Sequence, residues 1–119
     1  MNSVQKFFGA GLPVRVAVYV PGTVDAVNSD AKTSERMVEA VAARLSELFG
    51  GATISLAAGA WMSAEHGLIR EDVQIVYSFG AAEQVERFAG DVWALACMVR
   101  DEMRQEAVSV EIDGALYLV

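Results

Sequence analysis

Alternation of apolar and polar residues marks the first regular element. Residues 14–20, VRVAVYV, place valine at every second position. Side chains alternate between the two faces of a strand, and β-branched residues favour extended backbone. The pattern predicts a strand with one apolar face, ended by Pro21 and Gly22. The opposite face carries Arg15, Ala17 and Tyr19.

Two longer segments have helical spacing instead. In residues 34–49 the apolar positions recur every three or four residues, which predicts an amphipathic helix. Asp30 or Thr33 can cap its start, and Gly50 ends it because glycine accepts the left-handed conformation of a C-cap. A second helix is predicted over 81–103, where a nearly unbroken apolar stripe recurs at the same spacing.

The remaining apolar runs predict strands. Residues 53–61 and 68–79 are read as a hairpin, with Glu65, His66 and Gly67 at its tip. Near the end of the chain, Asp113-Gly114 stands between two apolar runs, which is among the strongest hairpin signals. We therefore expect one more strand pair there, closing at the last residue.

The predicted order is β-α-β-β-α-β with an extra C-terminal strand. This order indicates an α+β, ferredoxin-like sandwich, in which two helices cover one face of an antiparallel sheet. An αβ roll is the rival arrangement. Residues 1–13 are expected to form an N-terminal arm and residues 14–119 a single domain.

Such a fold leaves one sheet face without helices. In the third strand we expect Val73, Ile75 and Tyr77 to face the helices. The uncovered face is solvated, pairs with a second copy or holds a ligand. It is expected to carry Arg15, Tyr19, Thr53, Ser55, Asp72, Gln74, Val76, Ser109 and Glu111.

Composition excludes several classes of protein. The chain has 119 residues, a formal net charge of −7 and a single cysteine, so no intrachain disulfide can form. Acidic surfaces repel phosphates, which disfavours direct nucleic-acid binding. No run approaches the about 20 apolar residues of a membrane span. A cytoplasmic protein is expected.

The chemically versatile side chains do not form a recognisable set. His66 beside Glu65 is most simply an exposed turn residue, although its titration near neutrality leaves a pH-dependent role open. A metal site needs three or four convergent ligands, and there is no second histidine. Cys97 is expected to be a packing residue. We therefore predict no catalytic residues, no metal and no cofactor.

Binding and interface candidates lie on loops and on the uncovered face. Trp61 offers a flat apolar surface near the hairpin tip, and the loop of residues 21–32 offers polar groups. Trp93, on the second helix, covers the core edge or marks an interface. The binding candidates are Trp61, Tyr19, Arg15, Asn28, Asp30 and His66, and the interface candidates are Trp93, Gln74, Val76 and Glu111.

Several short motifs resemble those of a group of small bacterial, phage and mobile-element proteins. They are Phe-Gly-Gly-Ala-Thr at 49–53, Gly-x-Trp at 59–61, the strand ending Val-Tyr-Ser at 76–78, and Gln-Glu-Ala-Val at 105–108 with the hairpin of 111–117. The resemblance implies a ferredoxin-like fold and a mobile-element accessory role, such as countering a host defence. It carries no established activity.

From these patterns we expect a non-enzymatic interaction module that binds a protein partner or itself, with inhibition of a host defence protein as the sharper form. One alternative is an oligomeric protein that binds or sequesters a nucleotide signal, with Trp61, Tyr19 or Arg15 lining pockets between subunits. Another is a small cofactor-free dimeric enzyme, which would need a cavity containing a polar residue.

Overall fold

A computed structural model describes residues 2–24 and 28–119 of the chain. The elements, in chain order, are α1 (Ser3–Phe8), β1 (Val14–Pro21), β2 (Thr23–Val24), β3 (Asn28–Ser29), α2 (Ala31–Phe49), β4 (Thr53–Ser63), β5 (Gly67–Gly80), α3 (Ala82–Arg87), α4 (Ala89–Glu102), β6 (Ser109–Ile112) and β7 (Ala115–Leu118).

Five strands form one antiparallel sheet in the order β4-β5-β1-β6-β7. The predicted α+β class with an antiparallel sheet is confirmed. The predicted C-terminal strand is β7, which follows the turn at Asp113 and Gly114, both with positive φ. The two short strands β2 and β3 pair only with each other.

The core lies between one face of the sheet and the helices. Val16, Val18 and Val20 of β1 have no exposed surface, and they belong to one cluster with Leu45 of α2 and Val99 of α4. β1 occupies the centre of the sheet, so its alternating valines pack against the helices along the whole strand. Burial of this apolar surface is the main favourable term for folding.

α2 ends where predicted but begins at Ala31, three residues before the predicted start, with Asp30 rather than Thr33 as its N-cap. The Asp30 carboxylate accepts hydrogen bonds from the Thr33 backbone N–H (3.0 Å) and hydroxyl (2.8 Å). Gly50 ends the helix in the left-handed conformation, with φ of 94°. Phe49 then packs so close to Gly80 that a Cβ there would lie 2.8 Å from the Phe49 ring.

The second predicted helix is not continuous. The backbone leaves helical geometry at Phe88, with φ of −99° and ψ of 10°, which separates α3 from α4. The Phe88 ring meets the Phe49 ring edge-on, with centroids 6.0 Å apart. A tertiary contact therefore coincides with the break, and helical spacing alone did not reveal it.

The predicted facing of β5 is wrong. Ile75 pairs with Tyr19 and Tyr77 with Ala17, so both lie on the face away from the helices. Val76 pairs with Val18 and is fully buried in the core. The alternation was recognised, but the larger apolar set faces away from the helices.

The β4–β5 hairpin extends beyond the helices. Its tip closes where Ser63 pairs with Gly67, as predicted, and the molecule measures 54 × 27 × 21 Å. Leu56, Met62 and Leu68 are exposed on the side that the helices would cover if they were longer. An isolated two-stranded ribbon is marginal in water.

Replacing Leu45 with alanine tests the position of the core. Leu45 is fully buried, so Leu45→Ala is expected to lower the free energy of unfolding by about 2–5 kcal/mol. Glu39→Ala, on the exposed side of the same helix, is expected to change it by about 0.5 kcal/mol or less. Urea unfolding measures both, and equal effects would contradict this core.

Candidate functional site

The sheet face away from the helices, called the open face below, is more apolar than the sequence pattern predicted. Its middle holds Val73, Ile75 and Tyr77 of β5, all half-buried, beside Tyr19 of β1. Leu116 and Leu118 of the edge strand β7 add exposed apolar surface beyond the polar residues Ser109 and Glu111 of β6. An apolar surface of this extent commonly marks a binding or association site.

A concave site lies on the open face, between β1, the β4–β5 hairpin and the segment before β6. Its volume is about 320 Å³, at the lower end of the range of small-molecule sites. β1, β4 and β5 form its floor, and the segment before β6 closes one side. The residues that give it chemical character are Tyr19, Trp61, Glu71, Gln105 and Ser109.

Trp61 and Glu71 form the outer wall of this site. The indole N–H of Trp61 donates a 2.8 Å hydrogen bond to a Glu71 carboxylate oxygen. The residues stand on neighbouring strands, with Gly59 directly opposite Glu71. Trp61 follows Gly59 by two residues on the same face of β4, so the carboxylate reaches diagonally along the ribbon to the indole. The bond fixes the ring while about half of Trp61 stays exposed.

Tyr19 belongs to a polar network at the other side of the site. Its hydroxyl donates to Glu111 at 3.3 Å, and Arg15 Nε pairs with the second oxygen of the same carboxylate at 3.4 Å. The Arg15 guanidinium lies 4.0 Å from the centre of the Tyr77 ring, a cation–π contact. The network holds two rings and two charges in fixed positions on the open face.

The environment of Tyr19 changes its titration. Burial raises the pKa of the Tyr19 phenol above its ordinary value of 10.0, and the neighbouring Glu111 charge and hydrogen bond raise it further. Arg15 opposes this with a smaller lowering effect. Tyr19 is therefore neutral at physiological pH, and its hydroxyl oxygen can accept a hydrogen bond from a ligand while its proton is donated to Glu111.

The other predicted binding residues do not join this site. His66 is exposed at the hairpin tip, 3.7 Å from Glu65. Asp30 caps α2, and its pKa is lowered mainly by the hydrogen bond from the Thr33 backbone, as expected for a capping carboxylate. The side chain of Asn28 lies outside the described part of the structure.

The four predicted interface residues do not lie on one surface. Glu111 is on the open face as predicted, but Gln74 and Val76 are on the helix side, so the argument that placed them at an interface fails. Their strand was assigned the wrong facing. Trp93 is 58% exposed on α4, away from the open face, so it is not a core residue.

A larger depression of about 730 Å³ lies on the helix side, between the hairpin and the start of α2. Charged side chains such as Glu35, Arg70 and Asp72 line much of it, and it has no aromatic wall. A wide charged depression is readily hydrated. The smaller site on the open face has the apolar walls and few convergent polar groups that organic ligands prefer.

Sequence reasoning missed Glu71. The predicted facing of β5 puts Glu71, which shares a face with Val73, on the helix side. Its distance of two residues from Val73 places Glu71 on the open face once that facing is corrected. Within residues 2–24 and 28–119, no cluster of three metal-ligating side chains forms. In the same ranges, every helix is too short or too polar to cross a membrane.

Comparison with known proteins relates the fold to solved structures. No family model and no curated protein matches the chain. A phage SAM lyase in complex with S-methyl-5'-thioadenosine matches with a TM-score of 0.63 and 21% identity, covering 92% of this chain and 91% of that chain. A phage SAM lyase in the apo state matches with a TM-score of 0.59 and 20% identity, covering 89% and 87%.

These similarities show the fold, and they correct the expected function. The prediction of a non-enzymatic interaction module is wrong, because the solved structures that share the fold over nearly the whole chain belong to an enzyme.

Removing the Glu111 charge tests the network around Tyr19. Glu111→Gln is expected to lower the pKa of Tyr19, because it removes an anion that opposes the phenolate. Ultraviolet titration of tyrosinate measures the change, with Tyr19→Phe identifying the Tyr19 component.

Protein stability provides a second readout for the same residue. A raised folded-state pKa contributes stability that is complete below about pH 10 and is lost as pH rises through the folded-state value. Urea unfolding measures the free energy of unfolding as a function of pH. In Tyr19→Phe, the part of its decrease at alkaline pH that is due to Tyr19 is expected to be absent. Identical titration of Tyr19 in the wild type and in Glu111→Gln would contradict the network.

Proposed function

We propose that this protein is an enzyme that binds S-adenosylmethionine on the open face and cleaves it to S-methyl-5'-thioadenosine. The observation that carries the proposal is the concave site between Tyr19 and Trp61, two rings held by hydrogen bonds to carboxylates. The likeness of the fold to a phage SAM lyase bound to S-methyl-5'-thioadenosine supports the choice of substrate.

The walls of the site suit an adenosyl group. Adenine has two apolar faces, and stacking on an aromatic side chain contributes about 1–3 kcal/mol per base. Trp61 is fixed by Glu71 yet half-exposed, so it presents a ring without reorganisation. Tyr19 and Gln105 are on the opposite side, where the Tyr19 hydroxyl oxygen and the Gln105 amide oxygen can accept hydrogen bonds from the ribose hydroxyls and the adenine amino group.

The charge distribution suits a sulfonium substrate. S-adenosylmethionine carries a positively charged sulfur, and the chain has a net charge of −7, which attracts cations. Within the site, Glu71 supplies the local negative charge, while the neutral Tyr19 adds none.

The reaction removes that charge. Cleavage of the bond between sulfur and the amino-acid side chain leaves both bonding electrons on sulfur, which gives a neutral thioether. An apolar, water-excluding site destabilises the cation relative to the neutral product and so favours cleavage. Val73 and Ile75 supply apolar floor next to Glu71. In an elimination, a carboxylate such as Glu71 removes a proton from the carbon next to the C–S carbon, and the C–H electron pair forms the C=C bond of an unsaturated amino acid, the second product.

We also propose that the open face is covered by further copies of the chain. Phe79, Leu116 and Leu118 lie on the open face outside the concave site, and a large part of each is exposed. A second copy would complete the enclosure of the site and stabilise the projecting hairpin. Self-association was also predicted from the sequence, and the proposal now assigns it to the residues that face away from the helices.

Three finer predictions stay proposals. The ferredoxin-like connectivity is supported by the sheet order, in which β1 lies between β5 and β6. The division into an arm, residues 1–13, and a domain, residues 14–119, is supported by a core drawn entirely from the latter. In an anti-defence role, the protein would act by consuming S-adenosylmethionine.

Incubation with S-adenosylmethionine tests the activity directly. We expect S-methyl-5'-thioadenosine to accumulate, detected by chromatography, and no S-adenosylhomocysteine, the product of methyl transfer. Trp61→Ala is expected to reduce kcat/KM by about tenfold or more through lost stacking. Trp93→Ala, an exposed tryptophan outside the site, is the matched control. Folded protein that forms no S-methyl-5'-thioadenosine above the uncatalysed background would refute the proposal.

A charge placed on the open face tests the association. Ile75→Arg is expected to reduce the mass measured by light scattering, because burying an unpaired charge in an interface is unfavourable. Glu39→Arg adds an arginine on the exposed side of α2 and is expected to leave the mass unchanged. A wild-type chain that is monomeric at all concentrations would disprove the association and leave the activity to be judged by its own assay.

A further inference from the structure

The N-terminal arm carries an unpaired apolar stripe. Val4, Phe7 and Phe8 recur at helical spacing along α1, and none of them is buried. Phe7 is 75% and Phe8 81% exposed. The sheet and the other helices of the single chain leave both rings largely uncovered. A short helix is not stable by itself in water, so this stripe requires a surface to pack against.

A groove of matching character lies between α4 and β7. It has a volume of about 280 Å³, close to the lower limit for small organic ligands, and its lining is almost wholly apolar. Trp93 and Tyr117 form its rims and are each more than half exposed. Val92, Val110, Ile112 and Val119 form its floor. This α4–β7 groove is separate from the open face, because Val110 and Ile112 point to the helix side.

We propose that the α4–β7 groove receives the N-terminal arm of a second copy of this chain, with Phe7 and Phe8 packed against Trp93. The single chain leaves both surfaces exposed, so its own arm does not fill its own groove. A second copy presents the same two surfaces. The inference is independent of the catalytic proposal.

The position of the arm makes reciprocal exchange feasible. The arm leaves the body at Val14, and the neighbouring Arg15 carbonyl accepts a hydrogen bond from Asp113, in the turn that leads into β7. Arm and groove therefore meet at one end of the sheet. When two copies place these ends together, each arm reaches the other's groove, as in a self-complementary twofold interface.

Charge favours the same pairing. Lys6 is the only charged side chain among residues 1–13, so this segment has a formal charge of +1. The whole chain has −7, which leaves −8 for residues 14–119. A cationic arm is thus attracted to an anionic body, and added salt weakens that attraction.

Subunit mixing tests the exchange with Trp93 as the reporter. The acceptor is the full chain with Trp61→Phe, Phe7→Ser and Phe8→Ser, in which Trp93 is the only tryptophan and the arm has lost its rings. The donor is the full chain with Trp61→Phe and Trp93→Phe, which has no tryptophan and an intact arm. Mixing is expected to shift Trp93 emission to the blue and to reduce its quenching by acrylamide, saturably with donor concentration.

A donor that also carries Phe7→Ser and Phe8→Ser is the matched control and is expected to produce no shift. Association through the open face would affect both donors equally, so their difference isolates the arm. Equal emission with the two donors overturns the proposal. The proposal is also overturned if the emission of Trp93 depends only on the arm of its own chain. In that case the emission would not change with protein concentration or on mixing. Circular dichroism confirms that each variant is folded.

Discussion

The packing of the β1 valines against α2 and α4 determines the rest of the structure. Val16, Val18 and Val20 lose all contact with solvent, and the register with β5 then places Val76 beneath the same helices. Two helices cover one face of a sheet only, so Tyr19 and its neighbours are left on the other. The valines bury one face of β1 in the core. The residues of the opposite face, including Tyr19, therefore remain available to form the candidate site.

The uncovered face combines features that a purely solvated sheet would not need. Its centre is apolar, yet the polar groups at its margins are paired with one another: Trp61 with Glu71, and Tyr19 with Glu111. Paired polar groups around an apolar floor are typical of small-molecule sites. Much of the apolar surface also lies outside the concave site, which is why association and ligand binding are proposed together.

The sequence predicted the positions of the helices and strands well. It predicted less well which side of the sheet the residues of each strand lie on. Alternation located β1, β4, β5 and the final hairpin, and capping residues located the ends of α2. Alternation in β5 is ambiguous, however, because both of its faces hold apolar residues. Choosing the more apolar set as the core assumes a monomer with one buried face. That assumption misplaced Val76 and Gln74 and hid Glu71, whereas Tyr19, Trp61 and Glu111 were found because their strands are unambiguous.

Contacts between distant segments account for the other differences. The meeting of Phe49 and Phe88 coincides with the break in the second predicted helix, and no local pattern contains it. Likewise the Trp61–Glu71 hydrogen bond depends on hairpin register, and the concave site depends on Gln105 from a segment far along the chain. Such features arise from tertiary packing, which local propensity does not encode.

A crystal structure of the protein grown with S-methyl-5'-thioadenosine tests the central claim most directly. The account expects the adenine to lie against Trp61 on the open face, with Tyr19 and Gln105 within hydrogen-bond distance of the nucleoside. A nucleoside bound on the helix side of the sheet, or an empty open face at saturating ligand, would contradict it.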